Sequence, residues 1–382
     1  MNNSEKIKIG ITGQSGFVGT HLFNELGLFP EKYLRIQFID TFFENFALLC
    51  NFVKQCDVII HLAAVNRHKD SGELYRINIE LVKLLINAMK NEKVKPHIIF
   101  SSSIQENKNN EYGKSKLEGR KLLEKWAREN DASFSGMIIP NIYGPFGLPN
   151  YNSFIATFCY NMTHEEEAKI EIDNDVNLIY IASLCRHIIR DIEDIRCSDN
   201  PVVKEKYIEH DFTDKVSNIL AIFNNYKINY FEQGIIPNMS NFNEINLFNT
   251  FRSYIDINNF YPFKLIKNID DRGMFIETIR LGTGGQVSFS TTKPGITRGN
   301  HYHTRKIERF IVIKGKAKIQ LRKIGTGHIY NLYLDGETPS FVDMGVWFTH
   351  NITNIGADEL YTQFWINEWY DRNDADTYYE IV

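Results

Sequence analysis

The 382-residue sequence has no apolar run near the roughly 18–20 residues that span a bilayer, so a helical membrane anchor is excluded. Its opening residues, MNNSEKIKIG, have no signal-peptide core, and a cytoplasmic protein is expected. Cysteine is scarce: five residues, between Cys50 and Cys197, never in a CxxC pair. That excludes a disulfide framework or a thiolate zinc site and leaves buried free thiols. No basic run stands out, and 43 Lys+Arg against 47 Asp+Glu give a net charge of −4. A nucleic-acid partner is therefore not expected. There is no long internal repeat and no low-complexity tract. What is present is the balance of a globular protein, 43% hydrophobic and 24% charged. The length exceeds one ordinary domain, so two cores are expected.

From Lys6 to about Tyr180, short β-type runs (KIKIGIT, YLRIQFI, DVIIHLA, HIIFSSS) alternate with amphipathic stretches, one starting at Gly16 and one near Tyr75–Lys90. This rhythm predicts an α/β Rossmann-type parallel sheet with helices on both faces. Residues 196–260 are Asn-rich and weakly periodic, which predicts further helices and then a connector. From Tyr261 onward, runs such as RFIVIKG, KAKIQLR and YTQFWIN, punctuated by Gly, Pro and Asp, predict an all-β barrel or sandwich. The division expected is 1–250 and 251–382.

Gly13, Gly16 and Gly19 follow a strand in which Ile7, Ile9 and Ile11 alternate, and they open a helix through Phe17 and Val18. Such glycines give a tight turn, close backbone approach to a pyrophosphate, and tight helix–strand packing; alone, an ordinary Gly-rich turn reads much the same. Tyr112 and Lys116, four apart, share a helical face. A phenol of pKa about 10 is a poor acid–base group near neutrality unless a cation stabilises its anion. Asp57 to Ala64 (with Leu62 and Ala63) and Ser101 to Ser103 each end a strand with small residues where a cofactor would cross the sheet. Asp40, read as the end of the second strand, would accept the ribose hydroxyls of NADH and repel the extra phosphate of NADPH.

This set, with Pro140-Asn141-Ile-Tyr143-Gly144-Pro145, resembles the extended short-chain dehydrogenase/reductase family. The resemblance implies that Tyr112 is the proton donor, that Lys116 holds the nicotinamide ribose and lowers the tyrosine pKa, and that Ser103 orients the substrate oxygen, with Ser102 as the alternative. Asn141 would lie near a sugar nucleotide.

In the C-terminal part, His301 and His303 lie two apart on a strand and face one side, Glu308 can return from the next strand, and His350 precedes Asn354. Three imidazoles and a carboxylate suffice to hold a divalent metal. The stretch from Gly295 to Gly315 resembles the first cupin motif, Gly-x5-His-x-His-x4-Glu-x6-Gly, while Gly345 and Trp347 occupy the Pro and Gly positions of the second. Zinc is implied by the resemblance; iron, manganese or nickel would suit the same donors. Asp271-Arg272-Gly273 and Arg298-Gly299-Asn300-His301 resemble the 3,5-epimerases of nucleotide 4-keto-6-deoxysugars. Arg272 and Arg298 become candidate diphosphate contacts; a histidine bound to metal could not also be the free base of those enzymes.

The domain pair, with the Pro149 to Tyr160 segment that includes Asn152, resembles the bifunctional capsular-polysaccharide epimerase/reductases. That likeness implies a UDP-4-keto-6-deoxy amino sugar as substrate, NADPH as reductant (Asp40 argues for NADH), zinc, and a homodimer or homotetramer. Epimerisation at carbon 3 of UDP-2-acetamido-2,6-dideoxy-β-L-arabino-hexos-4-ulose would precede reduction at carbon 4. The alternatives are a reductase whose barrel only binds or dimerises, and a non-catalytic redox-sensing Rossmann regulator.

Overall fold

The computed structural model describes residues 6–382; residues 1–5, part of the stretch read above for a targeting signal, lie outside the described residues. The chain forms two compact units, each assembled from separate segments: 6–143, 150–153 and 175–214 in the first, and 144–149, 154–174 and 215–382 in the second. The expected division at 250/251 falls inside a helix, Phe242–Arg252. Among the described residues no helix is long and apolar enough to cross a membrane.

The first unit runs β1 (Ile7–Thr12), α1 (Phe17–Gly27), β2 (Tyr33–Ile36), α2 (Phe46–Gln55), β3 (Val58–His61), α3 (Ser71–Glu92), β4 (His97–Ser103), α4 (Glu111–Glu129), β5 (Phe134–Ile139) and β6 (Asn141–Tyr143). After α5 (Phe154–Thr163), which belongs to the second unit, it resumes with β7 (Asp175–Tyr180), α6 (Ile181–Arg196), β8 (Val203–Tyr207) and β9 (Phe212–Lys215). Six strands form a parallel sheet in the order β2-β1-β3-β4-β5-β8. Period-two alternation fills one face: Ile59, Ile98 and Phe100 pack with Phe52, Leu85, Met89, Leu123 and Trp126 of α2, α3 and α4. Side chains start the long helices, Asp70 accepting from the Gly72 and Glu73 N–H groups and Asn110 from that of Gly113.

β8 lies in the stretch expected to hold helices and a connector, and its inner-face residues are lysines. Lys204 and Lys206 lie 2.8 and 3.5 Å from the buried carboxylate of Asp191 in α6, so this edge strand lacks the apolar alternation that announces a strand.

The second unit holds α5, α7 (Val216–Tyr226), α8 (Phe242–Arg252), β10 (Phe263–Lys264), β11 (Asn268–Asp270), β12 (Gly273–Phe275), β13 (Gln286–Thr292), β14 (Thr297–Tyr302), β15 (Glu308–Lys314), β16 (Lys316–Lys323), β17 (Ile329–Asp335), β18 (Ser340–Met344), β19 (Phe348–Asn354), β20 (Leu360–Ile366) and β21 (Tyr378–Tyr379). Two antiparallel five-stranded sheets, β10-β18-β15-β20-β13 and β17-β16-β19-β14-β21, enclose a core that includes Phe310, Val312, Ile319, Leu321, Phe341 and Ile352. This all-β arrangement is consistent with a cupin-type domain. Beside the core, Arg309 and Asp343 form a buried bidentate pair (2.7 and 2.8 Å), and the Tyr230 hydroxyl donates to Asp343 at 2.8 Å.

Candidate active sites

The chain leaves β1 for β2 on one side and returns to β3 on the other, so a crevice opens at the carboxyl ends of β1 and β3. The glycine turn lies there. Gly13 has φ +71°, and a Cβ on it would stand 2.9 Å from the Ala63 nitrogen; a Cβ on Gly19 would stand 2.2 Å from the Gly13 carbonyl oxygen. Gly16 caps α1, whose first residues are Phe17 and Val18; no side chain caps that helix end and no acid occupies its first turn. Leu62, Ala63 and Ala64 leave β3 alongside, the Leu62 N–H donating to the Thr12 carbonyl at 3.2 Å. A narrow backbone cradle with an uncapped positive helix end fits a dinucleotide pyrophosphate.

Two expectations change. β2 ends at Ile36, so Asp40 does not terminate the strand; it opens a short 3₁₀ turn, Asp40–Glu44, where it accepts from the Ser15 hydroxyl at 2.7 Å. The carboxylate still stands beside the glycine turn. Asp57 precedes β3 at the amino end of the sheet, accepting from the Lys8 N–H at 2.8 Å, and the structure does not bring it to the crevice.

β4 and α4 bring the candidate catalytic groups together. Strand alternation sets Ser101 and Ser103 on one face and Ser102 on the other. Lys116, buried, donates from Nζ to the Ser101 carbonyl at 2.8 Å, and its Nζ is 5.7 Å from the Tyr112 ring centre. Ser102 is buried and donates to Glu106, which also receives the Arg120 guanidinium; Ser103 caps the next 3₁₀ turn. Burial pushes the Lys116 ammonium down to about 8, opposed by Glu106. The tyrosine differs from expectation: burial, with a smaller contribution from Tyr151, pushes the Tyr112 phenol up to about 12. Desolvation dominates here, and the phenol is held as a proton-carrying acid.

Three residues given no role in the sequence reading shape this site. A Cβ on Gly113 would lie 2.0 Å from the Gln105 carbonyl, so the short Ser103–Tyr112 connection closes only with glycine there. Asn78 of α3 bridges Val65 and Ser115, fixing the strand exit against α4. His61 bonds Thr12 through Nδ1 at 2.7 Å, and burial, with Lys116 nearby, holds it neutral, its pKa lowered to about 3. The buried polar positions of an amphipathic helix were the signal for Asn78.

In the second unit, one ligand atom each from His301, His303, Glu308 and His350 converges within 4.8 Å. β14 supplies His301, with a bulge at Asn300 (φ +62°); His303 follows that strand, Glu308 begins β15, and His350 lies on β19. Glu308 Oε2 is 3.1 Å from His303 Nε2 and 3.2 Å from His350 Nε2. Nδ1 of His303 donates to the Asp376 carbonyl and Nδ1 of His350 to that of Phe348, so both Nε2 atoms face the cluster. Although burial opposes it, contact with the two imidazoles holds Glu308 below the carboxylate range, and hydrogen bonding to Glu308 raises His303 against its own burial. Burial and the neighbouring rings lower His301 to about 4. Three imidazoles and one carboxylate with their ligand atoms converging on one point fit a divalent cation.

Trp347 stands where the second cupin motif has glycine. It keeps the left-handed backbone (φ +61°), stacks on Tyr302 with centroids 5.7 Å apart, and donates its N–H to the His303 carbonyl at 2.8 Å. Of the candidate substrate contacts, Asn141 and Asn152 are exposed in the first unit, Asn141 donating to the Asn177 carbonyl. Arg298 is exposed on β14; the exposed Arg272 is engaged by Asp270 across the β11–β12 turn.

Comparison with known proteins decides the family. Residues 9–196 match the NAD dependent epimerase/dehydratase family, and residues 268–378 match the polysaccharide biosynthesis C-terminal domain. The chain is 30% identical to UDP-2-acetamido-2,6-beta-L-arabino-hexul-4-ose reductase of Pseudomonas aeruginosa, over 97% of this chain and 98% of that protein. It belongs to that reductase family. Among solved structures, a relative of the reductase fold over the full length is the capsular polysaccharide assembling protein CapF from Staphylococcus aureus, 33% identical with a TM-score of 0.60, covering 98% of this chain and 100% of that one. UDP-glucuronic acid 4-epimerase from Bacillus cereus in complex with NAD, 20% identical, covers 58% of this chain and 84% of its own with a TM-score of 0.51, a likeness of fold.

Proposed function

We propose that this chain is a bifunctional nucleotide-sugar enzyme of capsular or other surface-polysaccharide biosynthesis. Its substrate is UDP-2-acetamido-2,6-dideoxy-β-L-arabino-hexos-4-ulose; the β domain of the second unit inverts carbon 3 and the Rossmann unit reduces the ketone at carbon 4, giving UDP-N-acetyl-L-6-deoxytalosamine. The observation that carries this reading is the presence in one chain of two constellations, Tyr112 with Lys116, and the His301–His303–Glu308–His350 cluster. The name of the P. aeruginosa relative supports the substrate class.

A hydrogen on carbon 3 is acidic because its loss gives an enolate conjugated with the carbon-4 ketone. Inversion therefore needs the ketone, and reduction removes it, so epimerisation comes first. A divalent ion, zinc in this reading, held by His301, His303, Glu308 and His350 would supply the charge that stabilises the enolate oxygen. His301 is then a ligand and the base lies elsewhere. Arg272 and Arg298 are assigned to the diphosphate.

NADH or NADPH, bound on Gly13–Gly19 and Leu62–Ala64, would supply the hydride to carbon 4. Ser103 donates a hydrogen bond to the ketone oxygen and Tyr112 gives that oxygen its proton as the alcohol forms. Lys116 holds the nicotinamide ribose and keeps a positive charge beside the phenol. Asn141 and Asn152 lie on the sugar-nucleotide side. Asp40 favours NADH, since its charge would oppose a 2′-phosphate. We place the enzyme in the cytoplasm as a homodimer or homotetramer.

The test supplies the UDP-4-ketosugar and NADH or NADPH and identifies the product by NMR. Inverted configuration at carbon 3 with a carbon-4 alcohol supports the reading. A reduced product that keeps the substrate's carbon-3 configuration contradicts it and leaves a reductase with a binding barrel.

A further inference from the structure

We infer that Asp376 is a positioning residue for the metal cluster, its carboxylate fixing the loop between two ligands and its carbonyl fixing the ring of one of them. The inference rests on the metal reading above and adds a residue outside the ligand set.

Residues 304–307 join His303 to Glu308, so the spacing of two ligands depends on the shape of this loop. The Asp376 carboxylate closes it. Oδ1 accepts from the Thr304 N–H at 3.0 Å and the Thr304 hydroxyl at 2.7 Å; Oδ2 accepts from the N–H groups of Arg305 at 3.0 Å and Lys306 at 2.9 Å. Three successive N–H groups aimed at one anion form a nest, which holds a loop more tightly than isolated bonds. The same residue's carbonyl accepts from His303 Nδ1 at 2.6 Å. A carbonyl can only accept, so Nδ1 carries the hydrogen and Nε2, 3.1 Å from Glu308, is the nitrogen left for a metal.

The backbone is bent to make this contact. Asp376 is buried and adopts φ +40°, a left-handed conformation unfavourable for a non-glycine residue, which the carboxylate's four bonds hold in place. The chain on either side reinforces the grip. Lys306 Nζ donates to the Ala375 carbonyl, and β21 pairs Tyr378 with Tyr302 and Tyr379 with His301. One C-terminal segment thus registers the strand of His301, the ring of His303 and the approach to Glu308.

The experiment loads full-length chain with Co²⁺, whose visible absorption reports ligand geometry, and measures affinity by chelator competition. Asp376→Ala is expected to bind Co²⁺ about 10–100-fold more weakly and with altered visible bands. Near-UV circular dichroism and thermal unfolding of the whole chain serve as the folding check; should Asp376→Ala fail it, Asp376→Asn, which keeps the size of the side chain, is measured with the same expectation. Wild-type affinity and bands in a folded variant would overturn the inference. A wild-type chain that binds no Co²⁺ would overturn the metal reading itself, and this inference with it.

Discussion

Lys116 gives its ammonium to the Ser101 carbonyl, 2.8 Å away, while Tyr112 keeps a phenol that burial pushes up to about 12. The pair therefore separates into a proton-carrying acid and a cation anchored on the strand. With Lys116 lowered to about 8, kcat/KM for ketone reduction is expected to be flat near neutrality and to fall above about pH 8, as the lysine loses its charge while Tyr112 stays protonated. An alkaline limb that begins only above pH 10 would contradict this assignment. Tyr112→Phe is expected to lower the rate of reduction about 10²–10⁴-fold.

Gly113 is expected to tolerate no side chain. A Cβ would meet the Gln105 carbonyl at 2.0 Å, so Gly113→Ala must displace either the loop after Ser103 or the first turn of α4, which carries Tyr112. Reduction should drop at least tenfold, with Co²⁺ binding in the other unit unchanged; paired steady-state kinetics and metal titration check both.

Asp40 is expected to set coenzyme preference. The repulsion between two unit charges at 4 Å is about 1 kcal/mol in water and about 4 kcal/mol near a protein surface, so Asp40→Asn should raise the NADPH/NADH ratio of kcat/KM roughly tenfold or more. The Ser15 hydroxyl, which donates to this carboxylate, remains in the variant. An unchanged ratio would remove Asp40 from the ribose site.

Low pH is expected to destabilise the Rossmann unit through His61. Its folded pKa is lowered to about 3, while an unfolded histidine titrates near 6.5, so between these values the unfolded chain binds more protons. Stability from this group is complete above about pH 6.5 and is lost as pH falls toward 3. Denaturant unfolding across that range measures it, and His61→Gln should flatten the slope.

In the β domain, Asp343→Ala is expected to cost about 3–5 kcal/mol because it leaves the Arg309 guanidinium buried and unpaired. Chemical denaturation gives the value; a cost below 1 kcal/mol would mean that the pair is solvated.

Much of the architecture was legible because the determining residues are local. The alternation of Ile7, Ile9 and Ile11, the glycines after them, and the His301–Glu308 spacing each dictate a geometry within a few residues. β8 was not legible because Lys204 and Lys206 face Asp191 rather than a core, and Asp40 was misplaced because β2 ends at Ile36 while YLRIQFI runs on as an apolar sequence. Gly113 and Asp376 act through partners elsewhere in the chain or through backbone contacts, which no spacing rule reports, whereas Asn78 is the polar member of the buried Leu74, Val82, Leu85 and Met89 stripe of α3. Trp347 resembles Gly113 and Asp376 in this respect: it stacks on Tyr302 and donates its backbone N–H to the His303 carbonyl.

The most direct test of the two-site account follows solvent deuterium into carbon 3 of the UDP-4-ketosugar with no reductant present. The account predicts uptake by wild type and by Tyr112→Phe, and its loss in His301→Ala, which should still oxidise NADH or NADPH on a ketosugar already inverted at carbon 3. Undiminished uptake in His301→Ala, or its loss in Tyr112→Phe, would contradict it.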